Sequence, residues 1–421
     1  MRLRRRYWVV GLLGVVSVIT FLDRMAIAVV GPLVQQDLHL TPETWSWVLS
    51  AYVIAYGLFE IPSGALGDRN GQRLELTRIA TWWSAFTAVT ALCTSLTQLV
   101  VARFLFGMGA AGAYPNATGV LWRWLPARER ARGQGVVWGA SRLGGALAPL
   151  TLVPLAMTLG WRAVFWVLAV LGLGWALVWW LWYHDRPQEQ PGITAAELDE
   201  IGGGRRAVRL HQAPPWRALL RLRQLWLIVV AYGCYAWGSW FFYNWFPTWM
   251  VSGAHFSTGE MGLYASLPFL VGMVSNIAGG YLCDWLGQRL GIRLAYRVIT
   301  FACLAATSVL LLGMSFATTH VAVVVLATAS FATMDLMLPA AWAMCMSIGG
   351  AYGGIASGIM NTSGQAGGFL CTLAFGYIVS GTGDYNFPVR VVAVMVLIAA
   401  LIFSRIDSTA GMPGEGGSLS Q

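Results

Sequence analysis

The residues able to do chemistry in this chain are few, and they stand in costly places. Asp23 and Arg24 are adjacent in ITFLDRMAIA, with aliphatic sequence on both sides. Arg103 lies in VARFLFG and Arg142 in GASRLGGALAP, each inside a long apolar run. Tyr56 and Glu60 are four residues apart in AYGLFEIP, and on a helix they share a face. Charges at such depth are expensive in lipid, so they face a bundle interior, pair with one another or line a solute path. A guanidinium presents a planar fork of donors that fits a carboxylate. Burial favours the neutral form of a carboxyl group, and a nearby arginine favours the ionised form. The chemistry on offer is therefore anion binding by Arg24, Arg103 and Arg142, with proton exchange at Asp23 or Glu60. Each residue also has a purely structural reading. Arg24 and Arg103 can pair with Asp23 or Glu60, Asp23 can be half of a fixed ion pair, Glu60 can hydrogen-bond near Pro62, and Arg142 can pair with Glu60.

What must position these residues follows from composition. The chain has 421 residues, 57% hydrophobic and 11% charged. A soluble domain carries about 25% charged residues, and no soluble core hides this much apolar sequence. The formal charge is +9, and all 27 basic residues are arginine. They cluster in MRLRRR, RWLPARERAR, GGGRRAVRL, RALLRLR and GQRLGIRLAYR, each between apolar runs. That is the pattern of cytoplasmic loops rather than of a nucleic-acid surface. The six cysteines all lie in apolar segments without paired short spacing, and read as small buried hydrophobes, not as disulfides or metal ligands. The first apolar run continues past Asp23 to about Val34 with no small-residue cleavage site, so it reads as a retained span.

A membrane-spanning helix needs about 20 mostly apolar residues. Twelve runs qualify, near residues 7–34, 44–66, 76–96, 99–122, 133–158, 162–183, 225–250, 259–282, 295–316, 320–346, 352–379 and 387–405. They are too long and too continuously apolar for barrel strands. The expected fold is an all-α membrane protein, with a six-helix bundle over 1–184, a cytoplasmic loop over 185–223, a second six-helix bundle over 224–408 and a disordered tail over 409–421. Within the loop, TAAELDEI predicts a short helix capped by Thr194, with Glu197 at the capping-box position. Arginine places both termini in the cytoplasm. Arg162 and Arg390 depart from this bias, and the loop after the tenth span has no arginine.

An internal repeat supports two like halves. GALGDRNGQR follows the second run and GYLCDWLGQR follows the eighth. Gly64, Leu66, Asp68, Gly71 and Arg73 match Gly280, Leu282, Asp284, Gly287 and Arg289 at equal offsets, and Arg69 adds a further charge in the first copy. Glycine allows close approach and tight turning, and an aspartate at a helix end can pair with arginine or with a helix N-terminus. The two copies read as a conformational latch.

With these residues in view, the chain resembles the major facilitator superfamily over essentially its whole length. FLDR, RFLFG followed by YPN, NWFPTW, GIMNTSGQAGG and ELDEI are similar to the anion:cation symporter family within it. That family includes bacterial sugar-acid carriers, phthalate-type carriers, sialin and vesicular glutamate transporters. The resemblance implies alternating-access transport of an organic anion, often with a proton. It implies that Arg24, Arg103 and Tyr56 line the substrate site. One departure stands out. Relatives commonly carry Glu seven residues after the fourth-helix arginine, and here that position is Ala110. Proton coupling then falls to Asp23 or Glu60, or is absent.

In the second half, Asn244, Asn361 and Gln365 are neutral amides able to bind hydroxyls or a second acid group, or to bridge helices. Asp335 is a lone acid within the tenth run. No nucleophile triad, metal-ligand spacing, phosphate loop or cofactor motif is present in the sequence. The expected protein is not an enzyme and uses no cofactor or metal. It is expected as a monomer in a bacterial inner membrane, binding a small organic anion and a proton between its halves, with no nucleic-acid partner. The alternatives are an uncoupled facilitator or exporter, and, from another class, a solute receptor without transport. A receptor would need a large cytoplasmic output domain, and the longest such stretch is the central loop.

Overall fold

Within hydrocarbon every backbone polar group must find its partner inside the protein, and a helix does this along its own length. The computed structural model describes residues 4–201, 220–349 and 353–410, and the side chains of Asp68 and Asp284 fall outside the described set. Among the described residues there are helices and connecting turns and no strand. Residues 202–219 of the central loop and residues 411–421 of the expected tail also lie outside it.

The first half contains α1 (Arg5–Val29), α2 (Gly31–Asp37), α3 (Pro42–Asn70), α4 (Gln72–Leu92), α5 (Leu96–Ala110), α6 (Ala113–Trp124), α7 (Ala127–Leu159) and α8 (Trp161–Trp182). A short α9 (Ala195–Ile201) follows. The second half contains α10 (Arg223–Trp240), a π turn at Phe241–Trp245, α11 (Phe246–Ser252), α12 (Thr258–Tyr264) and α13 (Leu267–Leu290). It continues with α14 (Ile292–Phe316), α15 (His320–Leu336), α16 (Leu338–Gly349), α17 (Gly353–Thr382) and α18 (Asn386–Phe403). Among the described residues, nine helical stretches are long and apolar enough to cross a membrane. α3, α4 and α17 coincide with three further expected spans without meeting that measure. The charged first turns of α4 and the glycine- and amide-rich α17 lower the apolarity of those two helices. The first expected span divides at Val30, because Pro32 has no N–H to continue the α1 ladder and sits instead in the first turn of α2.

The chain forms two compact units, residues 1–40 with 47–211 and residues 41–46 with 212–421. In the first, α1 packs on α7 and α4 on α8. In the second, α10 packs on α17, α14 on α18 and α13 on α15.

The repeat is visible as a glycine turn at the same place in each unit. Gly71 has φ 90° and turns α3 into α4, a backbone state that favours glycine. The Asp185 carboxylate, just after α8, accepts from the Gln72 N–H at 2.8 Å and the Arg73 N–H at 3.2 Å, and pairs with Arg123 at 3.2 Å. It thus satisfies the open amide groups at the start of α4. The Arg73 side chain donates to the Trp180 carbonyl at 2.6 Å. In the second unit Gly291 has φ 79° and turns α13 into α14. Arg293 pairs with Asp407 at 2.6 Å, and Arg297 donates to the Ile406 carbonyl at 2.6 Å. The matched offsets of the sequence are therefore one helical turn out of structural register. Gly287 and Arg289 lie inside α13, with Arg289 over the Trp285 ring at 4.3 Å, while Gly291 and Arg293 hold the places of Gly71 and Arg73. Gly64 packs against Pro115 of α6, Gly280 faces open space, and Arg69 is exposed.

Thr194 caps α9 as expected, its hydroxyl accepting from the Glu197 N–H at 3.2 Å. Glu197 does not complete a capping box. Its buried carboxylate reaches α1 and accepts from the N–H groups of Arg6 at 2.9 Å and Arg5 at 3.2 Å. Glu200 joins in, pairing with Arg4 and with Arg6 at 2.8 Å, and the Arg6 hydrogen bond holds its carboxyl below the usual range. The linker helix thus closes the open N-terminus of the first span. Glu197→Ala should cost about 1 kcal/mol, the scale of a lost N-terminal cap, read as a lower thermal midpoint of the purified protein. An unchanged midpoint would remove the cap from the account of stability.

Candidate functional site

Two glycines bring the charged helices together. A Cβ at Gly107 of α5 would lie 2.6 Å from the Tyr52 carbonyl of α3, and one at Gly144 of α7 would lie 2.6 Å from the Val18 carbonyl of α1. Only glycine lets those backbones meet so closely. Arg103 stands one turn before Gly107, and Arg142 stands two residues before Gly144.

Arg103 is 1% exposed, and none of its three guanidinium nitrogens has a hydrogen-bond partner among the described residues. It is held by rings. Its guanidinium carbon lies 4.2 Å from the Phe106 centroid and 5.6 Å from that of Tyr52. Arg24 approaches the same Tyr52 ring at 5.6 Å and Phe21 at 5.3 Å. Asp23 is also 1% exposed. Its Oδ1 accepts from the Thr87 hydroxyl at 3.1 Å, and its Oδ2 has no hydrogen-bond partner among the described residues. Asp23 and Arg103 feel each other's charge without forming a direct hydrogen bond.

Tyr56 lies 5.6 Å from Tyr52, centroid to centroid, and feels the charges of Glu60 and Arg24. Tyr114 of α6 stacks on Trp138 of α7 at 4.8 Å and feels Arg24 and Arg142. The structure thus gathers Asp23, Arg24, Tyr56, Glu60, Arg103 and Arg142 within the first unit. It adds Tyr52, Thr87 and Tyr114, which sequence reasoning missed. Tyr52, one turn before Tyr56, carried no signal that set it apart from the many other aromatic residues of the chain. Thr87, in AFTAVTAL, carried none.

The second-unit residues separate from one another. Asn244 lies in the π turn and donates to the Thr372 hydroxyl at 3.0 Å, beside a bond from the Trp245 indole to the Thr372 carbonyl at 3.1 Å. That spends its amide on joining α17. Asn361 and Gln365 are one turn apart on α17, both half-buried, and the buried Gln365 Oε1 has no partner among the described residues. Asp335 is fully buried in α15. Among the described residues no cluster of His, Cys, Asp and Glu could hold a metal ion.

A family model described as Major Facilitator Superfamily matches residues 13–372. The chain belongs to the major facilitator superfamily. A probable sulfoacetate transporter, SauU, of Cupriavidus necator is 32% identical over 98% of this chain and 97% of its own length. The hexuronate transporter of Bacillus subtilis is 27% identical over 95% of each chain. The probable galactarate/D-glucarate transporter GudP of Escherichia coli is 26% identical over 96% of this chain and 93% of its own. The fold is that of a crystal structure of a bacterial homologue of the human lysosomal transporter Spinster, with a TM-score of 0.78 at 16% identity, covering 94% of this chain and 96% of that one. The protein is accordingly a multi-pass membrane transporter of this superfamily, not an enzyme, and superfamily membership carries alternating access with it.

Proposed function

We propose that this transporter carries a small organic anion, a sugar acid or another carboxylate or sulfonate, across a bacterial inner membrane together with a proton. It does so as a monomer with both termini in the cytoplasm. The observation that carries the reading is the Arg103 guanidinium, buried and held by rings with no acceptor among the described residues. A buried cation without an acceptor is costly, and an anion that supplies one relieves the cost. The names of the relatives, all carriers of organic acids, agree with it. Arg24, Arg142 and Tyr56 complete the anion site, Asn361 and Gln365 are the second-unit candidates to meet the substrate, and Asn244 serves as their helix-joining neighbour. Asp23 and Glu60 are the proton-carrying candidates. The two glycine turns and their Asp185 and Asp407 latches stabilise one of the transport states.

The test is uptake into proteoliposomes of labelled sulfoacetate and of a hexuronate, with and without an acid-outside pH gradient. Gradient-driven accumulation of either anion is expected. No uptake of any organic acid would sink the reading. Uptake that ignores the gradient would instead favour an uncoupled carrier, the reading that the buried Ala110 favours.

A further inference from the structure

We propose that Thr87 is a positioning residue for proton exchange: its hydroxyl pins Asp23 by Oδ1 and leaves Oδ2 as the oxygen that takes up and releases the proton. The inference rests on the reading of Asp23 as a proton carrier and deepens it. Thr87 and Asp23 are each 1% exposed, so the contact between them is shielded from bulk water. The Thr87 hydroxyl lies 3.1 Å from Asp23 Oδ1 and 3.0 Å from the Trp83 carbonyl, one turn earlier on α4. Asp23 Oδ2 has no hydrogen-bond partner among the described residues. The two oxygens of one carboxyl group are therefore unlike. The contact depends on how closely α4 is seated. α8 packs on both α4 and α1, and a Cβ at Gly172 of α8 would overlap the Ser84 hydroxyl, three residues before Thr87. Glycine at that place lets the helices close up.

A threonine hydroxyl has one proton to donate. Here two acceptors share it at nearly equal distance. With Asp23 ionised the carboxylate is the stronger acceptor, because charge-assisted hydrogen bonds are about twice as strong as neutral ones. With a proton on Oδ2 the charge is gone, Oδ1 is an ordinary carbonyl oxygen, and the Trp83 carbonyl competes for the hydroxyl on even terms. The hydroxyl keeps its own proton throughout and only turns between the two acceptors. The exchanged proton enters and leaves at Oδ2. Thr87 thus supports the ionised form more than the neutral one. Burial favours the neutral form of a carboxyl group, so such a donor is what lets a buried acid release its proton. A threonine with a purely structural role needs only the Trp83 carbonyl, the common back-bond of a helix.

The charged and titratable groups of the surrounding helices are Arg24 on α1 itself, Arg103 on α5, Arg142 on α7, Tyr114 on α6, Tyr52, Tyr56 and Glu60 on α3, and the Cys93 thiol just after α4. Of these, Arg103 acts on the Asp23 carboxyl through its charge, without a hydrogen bond. α8 brings only Arg162, in its first turn, and that residue is paired with Asp37 at 2.7 Å. Thr87 is the neutral member of this set that touches the carboxyl. Removing its hydroxyl changes no charge, so its effect on the proton is separable from that of Arg103.

The experiment is a pH titration of the Asp23 carboxyl by infrared difference spectroscopy on the purified protein, its carbonyl band assigned by loss in Asp23→Asn. The pH dependence of labelled sulfoacetate uptake into proteoliposomes is measured beside it. Thr87→Val removes the hydroxyl and keeps the shape. Its titration midpoint should lie about one pH unit above that of wild type, a gain of about tenfold in proton affinity, the scale of the difference between a charged and a neutral hydrogen bond. The uptake midpoint should move by the same amount in the same direction. Thr87→Ser, which restores the hydroxyl, should keep the wild-type midpoint. In an Asp23→Asn background, Thr87→Val should leave anion exchange as it is in Asp23→Asn alone. Should Thr87→Val fail to fold by size exclusion, Thr87→Ala carries the same expectation. An unmoved or lowered midpoint in a folded variant without the hydroxyl overturns the inference. Gradient-driven accumulation by Asp23→Asn overturns the proton-carrier reading beneath it, whereas loss of that accumulation together with an unmoved Thr87→Val midpoint overturns the role of Thr87 alone.

Discussion

Arg103→Leu is expected to abolish anion uptake and to leave the unliganded protein at least as thermally stable as wild type. The two halves of that expectation separate a binding cation from a structural one. If Arg103 were half of a buried ion pair, its removal would strand a charge and cost about 3–5 kcal/mol. Here no direct partner is lost, because none of the guanidinium nitrogens has one among the described residues. Asp23 keeps its bond from Thr87. Leucine relieves the desolvation of a buried charge, and replacing buried ions by apolar residues is often neutral or stabilising by about 1–4 kcal/mol. The uptake side is large. A bidentate guanidinium–acid contact contains two charge-assisted bonds of about 1.5–3 kcal/mol each, so affinity should fall by about a hundredfold or more. A further sign is ligand-induced stabilisation, since a solute that binds the folded state raises the thermal midpoint in wild type. That rise should vanish in Arg103→Leu. A variant that unfolds several degrees early while still taking up anion would return Arg103 to the scaffold.

How far these features were legible in the sequence depends on what kind of signal each one left. The helices were legible because lipid demands long apolar runs, and the charged site residues because a charge inside such a run is conspicuous. Tyr52 was hidden by abundance. Among 22 Trp, 14 Tyr and 18 Phe, one more aromatic residue marks nothing until two arginines are seen on its ring. Thr87 looked like an ordinary helix threonine, its hydroxyl 3.0 Å from the Trp83 carbonyl of its own helix, and only the approach of α4 to Asp23 gives that hydroxyl a second acceptor. The turn of the second copy falls one helical turn beyond the matched letters, because GQR recurs before Gly291 and sequence offsets do not report φ. Glu197 stood at a capping-box position for its own helix. The amide groups of Arg5 and Arg6, distant in sequence, claimed it instead. In each case the local pattern was sound, and a tertiary contact decided which partner the residue met.

Asp23→Asn is expected to keep substrate exchange and to lose accumulation driven by a pH gradient. A proton carrier must gain and lose its proton within each cycle, and asparagine is fixed in the neutral state. The exchange is nearly isosteric, and the Asn oxygen can still accept the Thr87 bond at the position where Asp23 Oδ1 now accepts it at 3.1 Å. The fold and the empty-site geometry should therefore survive. Other groups nearby are poor carriers. Arginine keeps its proton at every physiological pH, and tyrosine and cysteine titrate well above neutrality. Ala110, at the position where similar carriers hold Glu, is buried and has no proton to give. That leaves Glu60, and Glu60→Gln is the matched control. With the membrane potential clamped at zero, one proton moving down one pH unit supplies 1.36 kcal/mol, enough for about tenfold accumulation. Wild type should approach that ratio, Asp23→Asn should equilibrate at one, and both should exchange labelled for unlabelled anion. Full accumulation in Asp23→Asn with none in Glu60→Gln would move the proton one helix over, to α3. The Thr87-held carboxylate would then be a charge that tunes Arg103 rather than one that is carried through the cycle.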